Sequence, residues 1–307
     1  MYKKFFSLRE NPFNVNPDPR FLFQTQEIQE ALACLTYGIQ SRKGFVLLTG
    51  EVGTGKTTLL NKLLDWLRGQ RAATAFIFNP RLDVNQFLDF MMADFGIPCE
   101  SSLKSQMLLR LNQWLLERFR AGETAVLIVD EAQNLSLEVL EEIRLLTNLE
   151  TSTEKLLQIV LCGQPELESK LNQPQLRQLR QRLTLRCKTR PLTSEQTHGY
   201  INERLRVAGA DGQAIFSPEA MEMVHRRSGG IPRVINLLCE HSLITAFAEG
   251  EKPIGASLVD SIAQELDLGP TESATTPGSQ QPNENGNSHG VASLDDLGSL
   301  MDRLRRP

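Results

Sequence analysis

The chain has 307 residues, of which 40% are hydrophobic and 23% charged, and its formal net charge is −4. This size and composition are ordinary for a globular protein with one large or two smaller cores, and the acidic balance argues against a protein that coats nucleic acid with its whole surface. The first residues lack the apolar core of a signal peptide, and no run of about 18 apolar residues encodes a membrane span. We therefore expect a cytoplasmic protein that partners could hold peripherally at the inner face of the membrane.

Residues 1–44 are predicted to form an N-terminal arm and a helix. Three prolines lie within Pro12–Pro19, so this stretch is expected to be extended, without regular structure. A helix is expected over Thr25–Ser41, with Thr25 as its cap. The apolar residues of this helix share one face, namely Ile28, Leu32, Leu35 and Ile39.

Short apolar runs alternate with amphipathic segments over residues 45–190. Runs that are apolar at nearly every position are typical of strands buried on both faces of a parallel sheet. The predicted strands are Phe45–Thr49, Thr74–Asn79, Ala125–Val129, Leu157–Cys162 and Leu183–Lys188. The predicted helices are Thr57–Arg68, Val84–Phe95, Leu103–Arg120 and Ser136–Leu149. This alternation predicts an α/β domain with a parallel five-stranded sheet and helices on both faces.

Residues 191–268 are predicted to form a small all-helical domain. Thr193 and Gln196 make a capping box at a helix start, and Ser217 followed by Pro218 makes another. Two further helices are expected, over about Ile231–Glu249 and Ser257–Leu266.

The residues after 268 differ in composition from the rest of the chain. Residues 269–292 consist mostly of Gly, Pro, Ser, Thr, Asn and Gln, and are expected to be disordered because they bury too little apolar surface. Residues 293–307 form a short amphipathic tail with leucines at helical spacing. Two alternatives stay open for this tail, a frayed helix and a docking motif that folds on a partner.

Several conspicuous side chains are expected to be structural. The five cysteines show no CxxC pair and are interpreted as buried, inert thiols of a reducing compartment: Cys34, Cys99, Cys162, Cys187 and Cys239. Three aromatic residues on predicted helices, Phe87, Phe90 and Trp114, are interpreted as core. The histidines show no spacing typical of metal ligands.

Residues 50–57 read Gly-Glu-Val-Gly-Thr-Gly-Lys-Thr, the GxxxxGK[ST] pattern of a phosphate-binding loop. Glycines let main-chain N–H groups face an anion, and the helix that follows directs its positive end at the phosphates. Lys56 is expected beside the β- and γ-phosphates, and the Thr57 hydroxyl is expected to bind Mg²⁺. The predicted nucleotide-binding residues here are Gly50, Glu51, Val52, Gly53, Thr54, Gly55, Lys56, Thr57 and Thr58.

The strand predicted at Ala125–Val129 ends in two acids, Asp130 and Glu131. In an open α/β sheet, ligands bind at the carboxyl ends of the strands, where these acids would lie. Asp130 suits a nucleotide-associated Mg²⁺ site, and Glu131 suits the general base that polarises an attacking water. The two motifs together predict an ATP hydrolase.

The motif set resembles that of the AAA+ ATPases, which are P-loop NTPases, and more closely that of the ExeA/GspA-type ATPases of general secretion and related pilus and exopolysaccharide-locus ATPases. The stretches that carry the resemblance cover about residues 1–268: Asn11-Pro12-Phe13, Pro17-Asp18-Pro19, Leu48–Thr57, Asp130–Leu135, Gly163–Leu167 and Gly230–Arg233. The resemblance implies an AAA+ core, a helical lid over residues 191–268, ATP and Mg²⁺ as ligands, a homo-oligomer, and protein partners in an envelope secretion, pilus or polysaccharide-export apparatus.

The resemblance also implies roles for single residues. Gln164 follows the fourth strand, where such ATPases keep a polar sensor of the γ-phosphate. Arg233 resembles the second sensor, a cation that folds the lid onto the nucleotide. Arg182 resembles an arginine finger that reaches the γ-phosphate of a neighbouring subunit, and Arg180 is the alternative. A solvated basic face remains a further interpretation of the segment that holds both arginines.

Two other functions stay open at this point. A DNA-associated regulator of the transposition-ATPase type would share this core, but no helix-turn-helix or winged-helix segment is visible after the lid, and the basic segment at 177–190 has no aromatic residues for stacking bases. A nucleotide switch that does not hydrolyse is disfavoured by Glu131. ExeA/GspA-type proteins can carry a transmembrane helix and a peptidoglycan-binding domain after this core, and we expect neither within these 307 residues.

Overall fold

The computed structural model describes residues 1–14, 18–78, 81–98, 103–210, 212 and 214–268, with Pro19 described by its backbone alone. Several expectations therefore lie outside the described residues. These are the disordered linker at 269–292, the amphipathic tail at 293–307, the burial of Cys99, and Asn79 as the end of the second strand.

Five parallel strands form one sheet in the described ranges: β1 (Phe45–Thr49), β2 (Ala72–Ile77), β3 (Thr124–Val129), β4 (Leu157–Gly163) and β5 (Leu185–Lys188). The expected parallel sheet is confirmed, and its spatial order is β2-β3-β4-β1-β5. Because β4 lies between β1 and β3, the loop after β1 and the acids after β3 flank the end of β4. This order brings the segments that follow three strands to one edge of the sheet.

Helices cover both faces of the sheet, as expected. The core helices and the N-terminal turn of helix are α1 (Tyr2–Phe5), α2 (Gln26–Gln40), α3 (Lys56–Arg68), α4 (Val84–Asp94), α5 (Lys104–Arg120), α6 (Leu137–Leu146), α7 (Pro165–Leu171) and α8 (Arg177–Arg180). Alternate residues of β3 point to opposite faces. Val126 and Ile128 pack with α2 and α3, whereas Leu127 and Val129 pack with α4, α5 and α6.

Local signals explain where these helices start and stop. The Thr25 side chain accepts a hydrogen bond from the Ile28 N–H at 3.3 Å, so Thr25 caps α2 as predicted. Ser136 caps α6 in the same way, through the Val139 N–H. The predicted extension of α6 to Leu149 was wrong, because the helix ends after Leu146 and the Thr147 hydroxyl donates to a carbonyl of its last turn at 2.6 Å.

A second helical layer follows the sheet, with α9 (Ser194–Val207), α10 (Pro218–Ser228), α11 (Pro232–Glu249) and α12 (Ala256–Glu265). Both halves of the predicted capping box are present at α9, where the Thr193 and Gln196 side chains bond each other's main-chain N–H groups. The Ser217 hydroxyl accepts from the Ala220 N–H at 3.1 Å at the start of α10. We call these four helices the lid.

The N-terminal segment, residues 1–13, belongs to the hydrophobic core of the lid. Tyr2, Phe6, Leu8 and Phe13 are buried in the same cluster as the apolar residues of α9 to α12. The Tyr2 hydroxyl donates to the carboxylate of Glu240 on α11 at 2.8 Å. This segment is therefore packed against the lid, which the expectation of an extended arm did not anticipate. The predicted domain boundaries stay predictions.

One core prediction was wrong. Phe87 is fully buried and Trp114 packs partly buried against Phe95, but Phe90 is 59% exposed. Phe90 falls on the solvent side of α4, whose buried face consists of Phe87, Leu88, Met91 and Met92.

No helix in the described ranges combines the length and the hydropathy that crossing a bilayer requires.

Candidate functional site

The loop between β1 and α3 adopts a shape that requires glycine. Gly53 and Gly55 have φ angles of 80° and 91°, in the left-handed region that side chains disfavour. At Gly50, an added Cβ would lie 2.0 Å from the Thr189 hydroxyl, so no larger residue fits. The loop is thus wedged between the ends of β1 and β5 and runs directly into the N-terminus of α3.

Hydrogen bonds fix the polar side chains of this loop. The Lys56 ammonium donates to the main-chain oxygens of Gly50 at 2.8 Å and Glu51 at 2.9 Å. An ammonium has three N–H donors, and the contacts within the described part of the chain use two of them. The Thr54 and Thr189 hydroxyls are hydrogen-bonded at 2.7 Å, which ties the loop to the end of β5. Lys56, Thr54 and Thr189 are all buried.

Asp130 lies beside the start of α3, as the strand order predicts. It is 4% exposed, and its carboxylate accepts from the Thr57 hydroxyl at 3.2 Å and from the Glu131 N–H at 2.9 Å. Cys162 on β4 lies beneath it, and burial together with the neighbouring Asp130 carboxylate raises the pKa of the Cys162 thiol well above its ordinary value. The thiol is therefore protonated and acts as a hydrogen-bond donor to Asp130.

The pair Thr57 and Asp130 fits a magnesium ion that accompanies a nucleotide. Mg²⁺ prefers oxygen ligands and commonly takes one or two protein groups together with phosphates and water. A hydroxyl and a carboxylate in direct contact, next to a phosphate loop, match that requirement. No cluster of three or more His, Cys, Asp or Glu side chains in the described ranges offers an all-protein metal site.

Glu131 occupies a constrained position at the end of β3. Its φ of 51° lies in the left-handed region, which costs on the order of 1–3 kcal/mol for a residue with a side chain. One carboxylate oxygen, Oε2, accepts from the Gln133 amide at 2.5 Å and from the Gln164 amide at 3.2 Å. The structure therefore joins two predicted site residues, Glu131 and Gln164, and adds Gln133, which the sequence analysis did not single out.

A cleft of about 400 Å³ lies beside these groups, between the sheet, the lid and the described residues 14 and 18–28. The predicted site residues that line it are Val52, Gly53, Thr54, Gly55, Lys56, Thr57, Thr58, Glu131 and Arg233. Gly50, Glu51, Asp130 and Gln164 do not line the cleft, but hydrogen bonds join them to Lys56, Thr57 and Glu131, which do. Arg233 stands at the start of α11, and its N–H donates to the Gly53 oxygen at 3.2 Å, so the lid touches the phosphate loop directly.

The opposite end of the cleft is aromatic and was missed by the sequence analysis. Phe21 and Phe23 from the N-terminal region face Tyr200 and Arg204 of α9. Burial raises the pKa of the Tyr200 phenol, so its hydroxyl stays protonated and donates to Asn236 at 2.8 Å. Phe and Arg at these positions carry no motif, so their convergence follows only from the tertiary packing.

Arg182 and Arg180 do not line this cleft. Arg182 precedes β5, at the edge where the strands begin, and the phosphate loop follows the other end of β1, about 15 Å away along the strands. Lys155, which hydrogen-bonds Glu150, and to a lesser degree Arg182 hold the pKa of the Glu150 carboxyl below its usual range. Arg180 donates to Asn172 at 3.2 Å. Arg182 therefore lies too far from the phosphate loop to reach it within this chain.

Comparison with known proteins agrees with this geometry. Residues 39–171 match a family model described as an AAA domain, and this range holds the phosphate loop, both acids and Gln164. Over 255 residues, or 83% of the chain, it is 48% identical to general secretion pathway protein A of Aeromonas hydrophila. This chain is an AAA-domain protein. It spans about half of that relative, 46% of its length.

Solved structures of other proteins share the fold of this chain over most of its length. The Aeropyrum pernix ORC2 protein, in ADPNP and ADP complexes, superposes with a TM-score of 0.63 over 83% of this chain and 71% of its own, at 17% identity. Cdc6p of Pyrobaculum aerophilum gives a TM-score of 0.61 over 79% of this chain and 67% of its own, at 20% identity. At these identities the likeness concerns the fold alone, which is that of the AAA+ P-loop NTPases.

Proposed function

We propose that this AAA-domain protein binds ATP in the cleft and hydrolyses it to ADP and inorganic phosphate. The observation that carries the proposal is the meeting of two motifs at one edge of the sheet, where the Thr57 hydroxyl contacts Asp130 at 3.2 Å and Glu131 lines the same cleft as Lys56. A phosphate loop alone binds phosphates, whereas the neighbouring acids supply a metal ligand and a base.

Each end of the cleft suits one end of the nucleotide. The loop N–H groups, the start of α3 and the Lys56 ammonium favour the negative triphosphate. The aromatic end, with Phe21, Phe23 and Tyr200, offers apolar surface to the planar base. The AAA domain, the lid and the N-terminal residues would thus each contact the bound nucleotide.

In the reaction, a water molecule attacks the γ-phosphorus while Glu131 accepts its proton. The bond from the γ-phosphorus to the oxygen bridging it to the β-phosphate breaks, and ADP leaves with that oxygen. Lys56 stabilises the charge on the phosphates. A Mg²⁺ ion held by Thr57 and Asp130 would offset part of the same charge. Gln164, which donates a hydrogen bond to Glu131, would report the state of the γ-phosphate through that carboxylate.

The unit of activity is proposed to be an oligomer. Arg182 lies too far from its own phosphate loop, so a role at a γ-phosphate requires a neighbouring subunit. Arg233 contacts the phosphate loop through Gly53, so nucleotide binding and lid position would be coupled. By similarity to general secretion pathway protein A, we propose that this coupling drives the assembly or operation of an envelope secretion, pilus or polysaccharide-export apparatus.

The proposal is tested by phosphate release from ATP together with binding of a fluorescent ATP analogue. The wild-type chain should bind the analogue and release phosphate. Glu131→Gln should bind it equally well and lose about 10²- to 10⁴-fold in turnover, the usual contribution of a general base. Glu138→Gln, an exposed change on α6, is the matched control and should turn over normally. Full turnover by Glu131→Gln would remove Glu131 as the base.

A further inference from the structure

Gln133 lies at the centre of the hydrogen bonds that surround Glu131. It belongs to a short 3-10 turn, Ala132–Asn134, that begins directly after Glu131. Its side-chain N–H donates to Glu131 Oε2 at 2.5 Å, and its side-chain oxygen accepts from the Gln164 N–H at 3.1 Å. One amide therefore joins Glu131, the second acid after β3, to Gln164, the residue that follows β4.

The orientation of this amide is fixed by its two partners. A carboxylate oxygen only accepts hydrogen bonds, and a main-chain N–H only donates one, so the nitrogen must face Glu131 and the oxygen must face Gln164. The main-chain oxygen of Gln133 accepts from the Lys170 ammonium on α7 at 3.1 Å. Gln133 is thus held at three points.

The end of β4 lies close to the Gln133 amide. A Cβ added to Gly163 would lie 2.7 Å from the Gln133 side-chain oxygen, so glycine at the end of β4 makes space for this amide. Glu131 has a strained left-handed backbone, and such a conformation persists only where the surroundings over-determine it. The bonds from Gln133 and Gln164 to its carboxylate, and the bond from its own N–H to Asp130, provide that restraint.

We infer that Gln133 is a positioning residue that orients the Glu131 carboxylate and locks it to Gln164. The inference rests on the proposed function, since it assigns Gln133 a role in the same hydrolysis. Gln133 does not line the cleft, so it acts through Glu131 and not on the nucleotide. Loss of the amide frees the carboxylate to adopt other rotamers, and a misplaced base costs turnover without costing nucleotide affinity.

Two substitutions separate the halves of this amide. Gln133→Met keeps the length of the side chain and removes both hydrogen bonds. Gln133→Glu keeps an acceptor for the Gln164 N–H but replaces the donor to Glu131 by a like charge. If the hydrogen bond to Glu131 is the one that orients the base, turnover falls at least as far in Gln133→Glu as in Gln133→Met. Gln113→Met, the same change at an exposed position of α5, is the matched control.

The experiment measures kcat and KM for phosphate release, analogue Kd and thermal stability. We expect Gln133→Met to lower kcat on the order of ten- to a hundredfold, with KM, Kd and Tm unchanged. In single-turnover measurements on a Glu131→Gln background, Gln133→Met should cause no further loss, because Gln133 acts through Glu131. Wild-type kcat in either Gln133 variant, a rise in Kd together with a fall in Tm, or an additive loss on that background would overturn the inference. Absence of turnover in the wild-type chain would instead overturn the proposed function.

Discussion

Arg204 on α9 donates a hydrogen bond of 2.5 Å to the main-chain oxygen of Pro12, although the two residues lie 192 positions apart. Its other donors reach the Tyr200 hydroxyl at 2.7 Å and the Asn14 oxygen at 3.3 Å. The guanidinium is 4.6 Å from the centre of the Phe21 ring, and the side chain also borders the cleft. One buried cation therefore connects the N-terminal segment, the lid and the proposed nucleotide site.

Replacement of Arg204 by Met should destabilise the lid. It leaves the buried Pro12 oxygen and the partly buried Asn14 oxygen without this donor, which we expect to cost about 1–3 kcal/mol of unfolding free energy. Urea denaturation, monitored by circular dichroism, measures this change in unfolding free energy. Arg206→Met on the same helix is the control, because Arg206 is exposed and pairs only with Glu203 in the described contacts; its midpoint should stay at the wild-type value. Equal midpoints for the two variants would contradict the structural role of Arg204.

Gly50→Ala should weaken both stability and nucleotide binding. The new Cβ would lie 2.0 Å from the Thr189 hydroxyl and 2.8 Å from the Thr189 main-chain oxygen, so the loop must shift away from β5. Overpacking of this kind costs about 1–3 kcal/mol. Gly69→Ala is the control, since Gly69 has a φ of −81° and space for a methyl group. Differential scanning fluorimetry with and without ATP compares them; a Gly50→Ala chain with wild-type Tm and ATP response would refute the close approach.

Lys56→Ala should weaken ATP binding at least roughly tenfold. The ammonium is the positive side chain nearest the proposed phosphate position in the loop, and losing a charged hydrogen bond costs about 1.5–3 kcal/mol, or roughly ten- to a hundredfold in Kd before any loss of loop order. Isothermal titration calorimetry with a slowly hydrolysed ATP analogue measures the Kd. Lys62→Ala, further along α3, should bind as the wild type does. An unchanged Kd for Lys56→Ala would show that the nucleotide binds elsewhere.

Arg182→Ala should lose turnover in the homogeneous oligomer, by up to about 10³-fold if it is an arginine finger. The loss should be complemented in mixed oligomers with Glu131→Gln, because some interfaces then pair an intact Arg182 with an intact Glu131. Phosphate release from the mixture, after subunit mixing is verified by fluorescence transfer, measures this effect.

Two arginine variants calibrate that experiment. Arg177→Ala on α8 should leave turnover unchanged, whereas Arg180→Ala should be silent only if Arg182 is the finger. Verified mixed oligomers without recovery of activity would count against action between subunits.

The phosphate-loop half of the site was predictable from the sequence because its residues are adjacent in the chain. The eight residues of Gly50–Thr57 form one continuous loop, and their glycines and lysine have few other uses in that order. Asp130 and Glu131 were equally predictable because they follow an unbroken apolar strand. The strand ends determine which edge of the sheet these residues reach, so both motifs could be assigned to one site.

The rest of the site could not be predicted because it depends on contacts across the fold. Phe21, Phe23 and Arg204 come together only when the N-terminal segment packs on the lid, and neither stretch carries a periodic pattern that indicates the other. Thr189 could have been predicted from the sequence, since it follows β5 at the same edge of the sheet as the phosphate loop. Gln133 lies two residues after Glu131, but the spacing gives no sign that its amide turns back to the carboxylate.

The helix boundaries were set by local chemistry, and the errors have local causes. The caps at Thr25, Ser136, Thr193 and Ser217 define the starts of four helices. Phe90 was misassigned because α4 has apolar residues on more than one face, so composition alone did not identify the buried stripe.

The packing of residues 1–13 into the lid has a consequence for biosynthesis. Phe13 makes an edge-to-face contact with Phe216, and Tyr2 reaches Glu240, so each aromatic side chain meets its partner only after some two hundred further residues have been translated. Until then, the five-stranded sheet can fold while the rings of Tyr2 and Phe13 stay exposed to solvent. The nascent chain thus presents an apolar segment that chaperones can bind, and closure of the lid is the step that withdraws it.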